Sequence, residues 1–116
     1  MSSSSSTLTD WVEILSVEEI PSLGSRVFQA PVGQIAIFKV ENDQIFAVLD
    51  QCPHKGGPLS QGIVHGKTVT CPLHAWNIQL GDGCAQAPDQ GCVKTFTTQV
   101  QKGMVFFMRS ELQSYA

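Results

Sequence analysis

The amino-acid sequence predicts an all-β fold, a small antiparallel sandwich or barrel, on three observations. Short runs of alternating apolar and polar residues recur at a spacing of roughly 8 to 12 residues, which is typical of such folds. Ten glycines and six prolines separate these runs. No segment keeps apolar residues at helical spacing for as long as about three turns. The 116 residues, 42% of them hydrophobic, suffice for one domain with a single core.

The first half of the sequence contains four predicted strands. WVEILS alternates, and the VEEIPSLGS segment after it is a turn with room for one helical turn before its proline. RVFQAP and QIAIFKV lie on either side of a Val-Gly turn, and IFAVLD runs back after the polar turn ENDQ to give a hairpin. The predicted strands are residues 11–16, 26–31, 34–40 and 45–50.

The second half repeats this pattern with shorter strands. KTVT is entered through a His-Gly turn, and AWNIQL alternates before the turn GDG. VKTFTTQV and MVFFMR pair across the turn QKG, and the Phe and Val residues of the last strand belong to the core. The predicted strands are residues 67–70, 75–80, 93–100 and 104–109.

Composition and charge argue against several classes of function. We expect a flexible serine-rich tail over residues 1–9, a single domain over 10–110 and a C-terminal tail over 111–116. A net charge of −3 without a basic stripe argues against nucleic acid, and no apolar run is long enough for a bilayer. The first residues do not resemble a secretory signal, which predicts a cytoplasmic protein. Four cysteines in a reducing compartment indicate metal or redox chemistry before disulfides.

Two cysteine–histidine pairs carry the chemistry. Cys52 and His54 are two residues apart, so their side chains project the same way from an extended backbone. Cys71 and His74 are three residues apart, which suits a turn. A proline after each cysteine fixes a φ angle, and Gly56-Gly57 lets the backbone approach a bound group. The sequence therefore predicts two rigid loops that hold one metal centre.

Two thiolates and two imidazoles suit either a tetrahedral zinc ion or a [2Fe–2S] cluster in which two histidines replace two cysteines. The spacing C-x-H-x16-C-x-x-H favours the cluster, since zinc sites more often begin with closely spaced cysteine pairs. A third interpretation is that the motif is a structural remnant that no longer binds a metal. Neutral histidines leave the cluster less negative than four thiolates would, so its potential rises. Because all four protein ligand positions are filled, the domain alone should transfer electrons and catalyse no bond-making step.

The motifs CPHKGGPLSQG, CPLHAW and APDQGCVKTF resemble the small subunit of the bacterial NAD(P)H-dependent assimilatory nitrite reductase, a branch of the Rieske [2Fe–2S] family. The resemblance covers residues 11–109, and the HAW motif followed by PDQGCVKTF points to this branch. It implies a Rieske fold of three antiparallel sheets, with the cluster held by two loops at one tip. The implied ligands are Cys52, His54, Cys71 and His74.

The same resemblance implies a partner. This is a large subunit with flavin, sirohaem and an iron–sulfur cluster, which reduces nitrite to ammonium with electrons from a nicotinamide cofactor. The chain alone is then expected to turn over no substrate. The alternative is a free Rieske ferredoxin that serves an aromatic-ring-hydroxylating oxygenase. A zinc-binding interaction module is the remaining possibility.

Four further residues are open to a structural or a functional interpretation. We interpret His65 as a solvated turn residue and Trp76 as a side chain that packs beside the cluster and excludes water. Cys84 and Cys92 flank the loop that, in the resembling family, covers the cluster. Our first interpretation is that both are reduced, and a disulfide between them is the alternative.

A low potential is the last expectation from the sequence. Respiratory Rieske proteins, which this chain resembles only in the ligands, brace their two loops with a disulfide. The equivalent positions here are Gly57 and Leu73, so that brace is absent. Their hydroxyl donors to the cluster correspond to Trp76 and Ile78, which carry no hydroxyl. Fewer hydrogen bonds predict a potential in the lower half of the range of roughly −150 to +300 mV.

Overall fold

The computed structural model describes residues 11–41, 44–52, 58–72, 75–87 and 90–112. Within them, ten strands form three antiparallel sheets, as the sequence and the resemblance predict. No helix in these ranges has the length and apolar character needed to cross a membrane. The strands are β1 (Trp11–Ser16), β2 (Ser25–Ala30), β3 (Gly33–Lys39), β4 (Ile45–Leu49), β5 (Ile63–His65), β6 (Thr68–Thr70), β7 (Asn77–Gln79), β8 (Thr95–Phe96), β9 (Thr98–Gln101) and β10 (Met104–Met108).

The central sheet has the strand order β2-β3-β4-β8 and separates two apolar cores. Along β3, Ile35 and Ile37 belong to one core, whereas Ala36 and Phe38 belong to the other. All four are fully buried, because both faces of this sheet are covered. This arrangement explains why QIAIFKV is a nearly continuous apolar run, and it replaces the single core that the sequence suggested.

The second sheet has the order β1-β10-β9 and covers one face of the central sheet. Val105 and Phe107 of β10 are fully buried, which confirms the expected core strand. The hairpin of β9 and β10 is also confirmed, with Met104 opposite Gln101. After β1 the chain makes the predicted helical turn, a 3₁₀ helix at Val17–Glu19 that the Ser16 side chain caps.

The third sheet, β5-β6-β7, covers the other face, and the cysteine of the second ligand loop directly follows its middle strand. Strand β5 is absent from the sequence-based prediction. Only its middle residue, Val64, is buried, so three residues give too little alternation to be recognised. Gly62, just before β5, passes so close to β6 that a Cβ atom would lie 2.3 Å from the carbonyl oxygen of Thr70.

The predicted strand over residues 93–100 is divided into β8 and β9, which belong to different sheets. The change occurs at Thr97, whose backbone N–H and hydroxyl donate to the Glu111 carboxylate at 2.7 and 2.9 Å. Glu111 lies in a 3₁₀ helix at Arg109–Leu112, and Leu112 is buried. The packed part of the chain thus extends to Leu112, past the boundary at residue 110 suggested by the sequence.

Candidate metal centre

The fold brings the two predicted cysteine ligands into one core. Cys52 and Cys71 are 3% and 1% exposed, and both belong to the core between the central sheet and the β5-β6-β7 sheet. Neither sulfur is in a disulfide. The other two predicted ligands, His54 and His74, lie outside the described residues. Cys71 directly follows β6, and Cys52 lies three residues after the end of β4, so the third and central sheets fix the starting points of the two loops.

A buried carboxylate closes the first ligand loop. Asp50, 8% exposed, lies two residues before Cys52 and accepts two hydrogen bonds from Ser60, one from its N–H at 2.7 Å and one from its hydroxyl at 2.8 Å. The Asp50 N–H donates to Gln34 in β3 at 2.9 Å, and the Ser60 carbonyl accepts from the Ser25 hydroxyl in β2 at 2.9 Å. The carboxylate thus joins both ends of the loop to the central sheet.

Backbone hydrogen bonds close the second ligand loop. The Cys71 N–H donates to the Trp76 carbonyl at 2.7 Å, and the Ala75 N–H donates to the Cys71 carbonyl at 3.0 Å. Ala75 has a φ of +60°, a left-handed conformation that favours glycine. Trp76 is half-buried and packs against the core that contains both cysteines, which agrees with its predicted packing role. These two hydrogen bonds join the described ends of the connection between β6 and β7.

Residues 84–86 and 90–92 form the two sides of a hairpin, and the first side pairs with β7. Its ends are joined by a disulfide between Cys84 and Cys92, which corrects our first interpretation that both cysteines are reduced. The two residues lie opposite each other as an antiparallel pair. Their spacing in the sequence does not by itself predict this contact. Gly83, with a φ of +75°, permits the approach, because a Cβ atom there would lie 2.4 Å from the Val93 carbonyl oxygen.

The third histidine, His65, is exposed at the end of β5, next to the turn where we expected it. The imidazole ring is nevertheless hydrogen-bonded, since His65 Nε2 lies 2.7 Å from the Thr70 hydroxyl. That hydroxyl donates to Asn77 Oδ1 at 2.7 Å, so it accepts from the histidine and Nε2 carries the proton. The pair ties β5 to the end of β6, directly before Cys71.

An open depression with a mostly apolar surface lies beside Cys71. Ile63 at its rim is 71% exposed, the largest value among the exposed large hydrophobic residues of the described chain. Besides Ile63 and Cys71, the depression is lined by Gln61, Gly62, Thr70, Pro72 and Ala75.

The described residues fit a [2Fe–2S] cluster of the predicted kind. Two buried thiols on two separately closed loops supply the soft ligands that iron–sulfur clusters require. Within the described ranges no group of three or more metal-ligating side chains occurs, because both predicted histidine ligands fall outside them. The whole ligand set, Cys52, His54, Cys71 and His74, therefore remains a prediction.

Comparison with known proteins identifies relatives over most of the chain. A family model described as the Rieske [2Fe-2S] domain matches residues 10–97. The ferredoxin subunit of anthranilate 1,2-dioxygenase from Burkholderia cepacia is 30% identical over 100 residues, which are 85% of this chain and 92% of that protein. The 4beta-methylsterol monooxygenase of Methylococcus capsulatus is 40% identical over 55 residues, or 47% of this chain. The matches to this monooxygenase and to two other curated relatives span only 14 to 20% of their length.

Solved structures share the fold. A candidate small subunit of an NADPH nitrite reductase superposes with a TM-score of 0.75 and 21% identity, over 84% of this chain and 97% of that one. The complex of reduced oxygenase and oxidised ferredoxin in carbazole 1,9a-dioxygenase contains a chain that matches with a TM-score of 0.74 and 22% identity, over 85% of this chain and 93% of that one. At these identities the likeness concerns the fold alone.

Proposed function

The chain belongs to the Rieske [2Fe–2S] domain family, and on this premise we propose that it is the small electron-transfer subunit of an NAD(P)H-dependent nitrite reductase. The family cofactor is a Rieske [2Fe–2S] cluster, which when bound accepts and returns one electron at a time. In this chain Cys52 and Cys71 supply the thiolates, and His54 and His74 supply the imidazoles. The two loop closures described above orient the cysteines, and the apolar core around them excludes water.

The observation that carries the nitrite assignment is the sequence resemblance over residues 11–109, above all the segment APDQGCVKTF. Its described residues form one side of the 84–92 hairpin and continue into β8 of the central sheet. The fold of the candidate nitrite reductase small subunit is compatible with the proposal. Since the four ligands fill the protein positions of the cluster, substrate reduction belongs to a large partner subunit with flavin, sirohaem and an iron–sulfur cluster.

A second candidate is a Rieske ferredoxin that delivers electrons to an aromatic-ring-hydroxylating oxygenase. The anthranilate 1,2-dioxygenase ferredoxin subunit favours it, because this chain matches 92% of that protein at 30% identity. Both functions require an exposed contact surface near the metal centre. The depression lined by Ile63 and Pro72 therefore does not discriminate between the two partners.

Deletion of the gene separates the two candidates. The nitrite reductase assignment predicts that the deletion strain grows poorly on nitrite as sole nitrogen source and that the wild-type gene restores growth. A His74→Ala gene should not restore it, because one iron then lacks a ligand. Unimpaired growth of the deletion strain would reject the nitrite assignment and favour the oxygenase ferredoxin. Rescue by His74→Ala equal to wild type would keep the partner but make the cluster a structural element.

The purified protein provides a second test. Alone, with NADH or NADPH, the chain should reduce no nitrite, because the predicted ligand set fills every protein position of the cluster and leaves no iron open to substrate. Together with the sirohaem-containing chain from the same organism, it should support formation of ammonium from nitrite. Reduction of a ring-hydroxylating oxygenase instead, with no response from the sirohaem chain, would assign it to the second class.

A further inference from the structure

The Cys84–Cys92 disulfide joins the two sides of a hairpin. Among the described residues, the two cysteines themselves are not joined by a backbone hydrogen bond. Hydrogen bonds flank it on both sides, from Val93 N–H to the Gly83 carbonyl and from Ala85 N–H to the Gly91 carbonyl, each at 2.8 Å. The two cysteines are thus a non-hydrogen-bonded antiparallel pair, the pair type in which backbones approach most closely. Their Cα atoms are 4.0 Å apart.

The closed hairpin is attached to β7, the strand that follows the second ligand loop. Gln79 N–H donates to the Cys84 carbonyl at 2.9 Å, and Gln86 N–H donates to the Asn77 carbonyl at 2.8 Å. Ala85 is bridged to Ile78 and packs against the core that contains Cys52 and Cys71. The conformation of the hairpin is therefore coupled to the surroundings of both cysteine ligands.

The disulfide is accessible, in contrast to the two ligand thiols. Cys92 is exposed and Cys84 is half-buried, whereas both predicted cysteine ligands are buried. Thiol–disulfide exchange requires a thiolate to reach one sulfur, so Cys92 is the sulfur open to attack. Exposed disulfides are the labile class among protein disulfides.

We propose that Cys84–Cys92 is a thiol-exchange site and acts as a latch on the second ligand loop, opened by a dithiol reductant. One thiolate of the dithiol attacks Cys92 Sγ, the S–S bond breaks, and Cys84 leaves as a thiolate that takes up a proton. The second thiolate then resolves the mixed disulfide and releases Cys92. Two electrons and two protons move from the dithiol to the protein, and the dithiol becomes a disulfide. This inference uses the Rieske assignment but not the nitrite partner.

Reduction should loosen the hairpin and, through β7, the metal centre. Without the cross-link, only two backbone hydrogen bonds join the hairpin sides next to the cysteine pair. Amide exchange of Gln79 and Gln86 should rise by roughly ten- to a hundredfold, the factor by which closure of a short loop restricts local opening. The rate of iron release from the loaded protein should rise with it.

The test compares loaded wild-type protein with a Cys84→Ser/Cys92→Ser variant, each with and without dithiothreitol. Alkylation mapped by mass spectrometry, hydrogen exchange of residues 77–92 and loss of visible absorbance are recorded. In the wild type the dithiol should expose both cysteines to alkylation and accelerate exchange and iron release. The variant should behave like reduced wild type at the start and respond no further, which separates the latch from direct iron stripping by dithiothreitol.

The same alkylation on acid-quenched cells shows whether the pair is oxidised in the organism. Protection of Cys84 and Cys92 that disappears when the thiol pool is reduced supports the proposal. Complete alkylation in every condition would overturn it, as would hydrogen exchange unchanged by reduction. If the double variant fails to fold, wild-type exchange with and without dithiol decides alone. None of these readouts depends on nitrite reduction, so failure of the partner assignment would leave them interpretable.

Discussion

The two cysteine-bearing loops achieve closure by different chemistry. The first, after β4, is closed by the Asp50 carboxylate, which takes both hydrogen bonds of Ser60. The second, after β6, is closed by its own backbone, between Cys71 and Trp76, with Ala75 in a left-handed conformation. Closure of the first loop therefore depends on one side chain, and closure of the second depends on one backbone conformation. Each can be disturbed by a substitution that leaves the other intact.

The largest effect should come from removing a thiol, and it should be equal for the two loops. Cys52→Ala and Cys71→Ala each leave one iron without a ligand, so we expect loss of the cluster in both variants. Iron and sulfide content and visible absorbance measure it. Val100→Ala, at an exposed strand position far from both loops in the sequence, is the control and should retain both irons. If either ligand variant kept a full cluster, the two loops would not be holding one metal centre together.

Removing the Asp50 carboxylate should affect the first loop alone. Asp50→Ala leaves the Ser60 N–H without its acceptor and removes a charge-assisted pair, which should lower the free energy of unfolding by about 2–4 kcal/mol. Asp50→Asn should lose less, and Ser60→Ala should lose about 1 kcal/mol because the N–H bond remains. Chemical denaturation measures all three, with Glu41→Ala as the exposed control. Equal effects of Asp50→Ala and Glu41→Ala would show that the Asp50 carboxylate does not stabilise the first loop.

The reduction potential belongs to the cluster that the two loops are predicted to hold together. Trp76 at the end of the second loop and Ile78 in β7 occupy the positions of the hydroxyl donors of respiratory Rieske proteins, and Ile78 is fully buried. The reduced, more negative state therefore has fewer hydrogen bonds, and the potential should lie in the lower half of the range of roughly −150 to +300 mV. Protein-film voltammetry measures it. A value near the top of that range would show that other donors stabilise the added charge.

The smallest effect should come from Ala75, whose φ of +60° strains any residue with a Cβ atom. Ala75→Gly relieves that strain and should raise the free energy of unfolding by roughly 0.5–1 kcal/mol, whereas Ala75→Val should lower it. Ala87→Gly is the control, because Ala87 is exposed and not among the residues with positive φ. Stabilisation by Ala87→Gly rather than by Ala75→Gly would contradict the claim that the backbone at Ala75 is strained.

The contrast between the loops also shows what the sequence could predict. Strands β1 to β4, β6, β7 and β10 follow from alternation, and the half-buried position of Trp76 agrees with its predicted packing role. Asp50 was overlooked, because a polar residue at a strand end is ordinarily a turn signal and its partner Ser60 is ten residues away. The change of sheet at Thr97 depends on Glu111, and the Cys84–Cys92 pair depends on a hairpin register. These contacts are tertiary, so no local pattern indicates them.

The most direct test of the account is pulsed EPR on the dithionite-reduced protein, purified without air and analysed for iron, sulfide and zinc. The Rieske assignment predicts two irons per chain, a [2Fe–2S] signal with an average g value below 2, and two directly coordinated imidazole nitrogens. Both nitrogens should disappear together with the signal in the His54→Ala and His74→Ala variants. Stoichiometric zinc without visible absorption, or a [2Fe–2S] signal without nitrogen coupling, would contradict the claim that Cys52, His54, Cys71 and His74 hold a Rieske cluster.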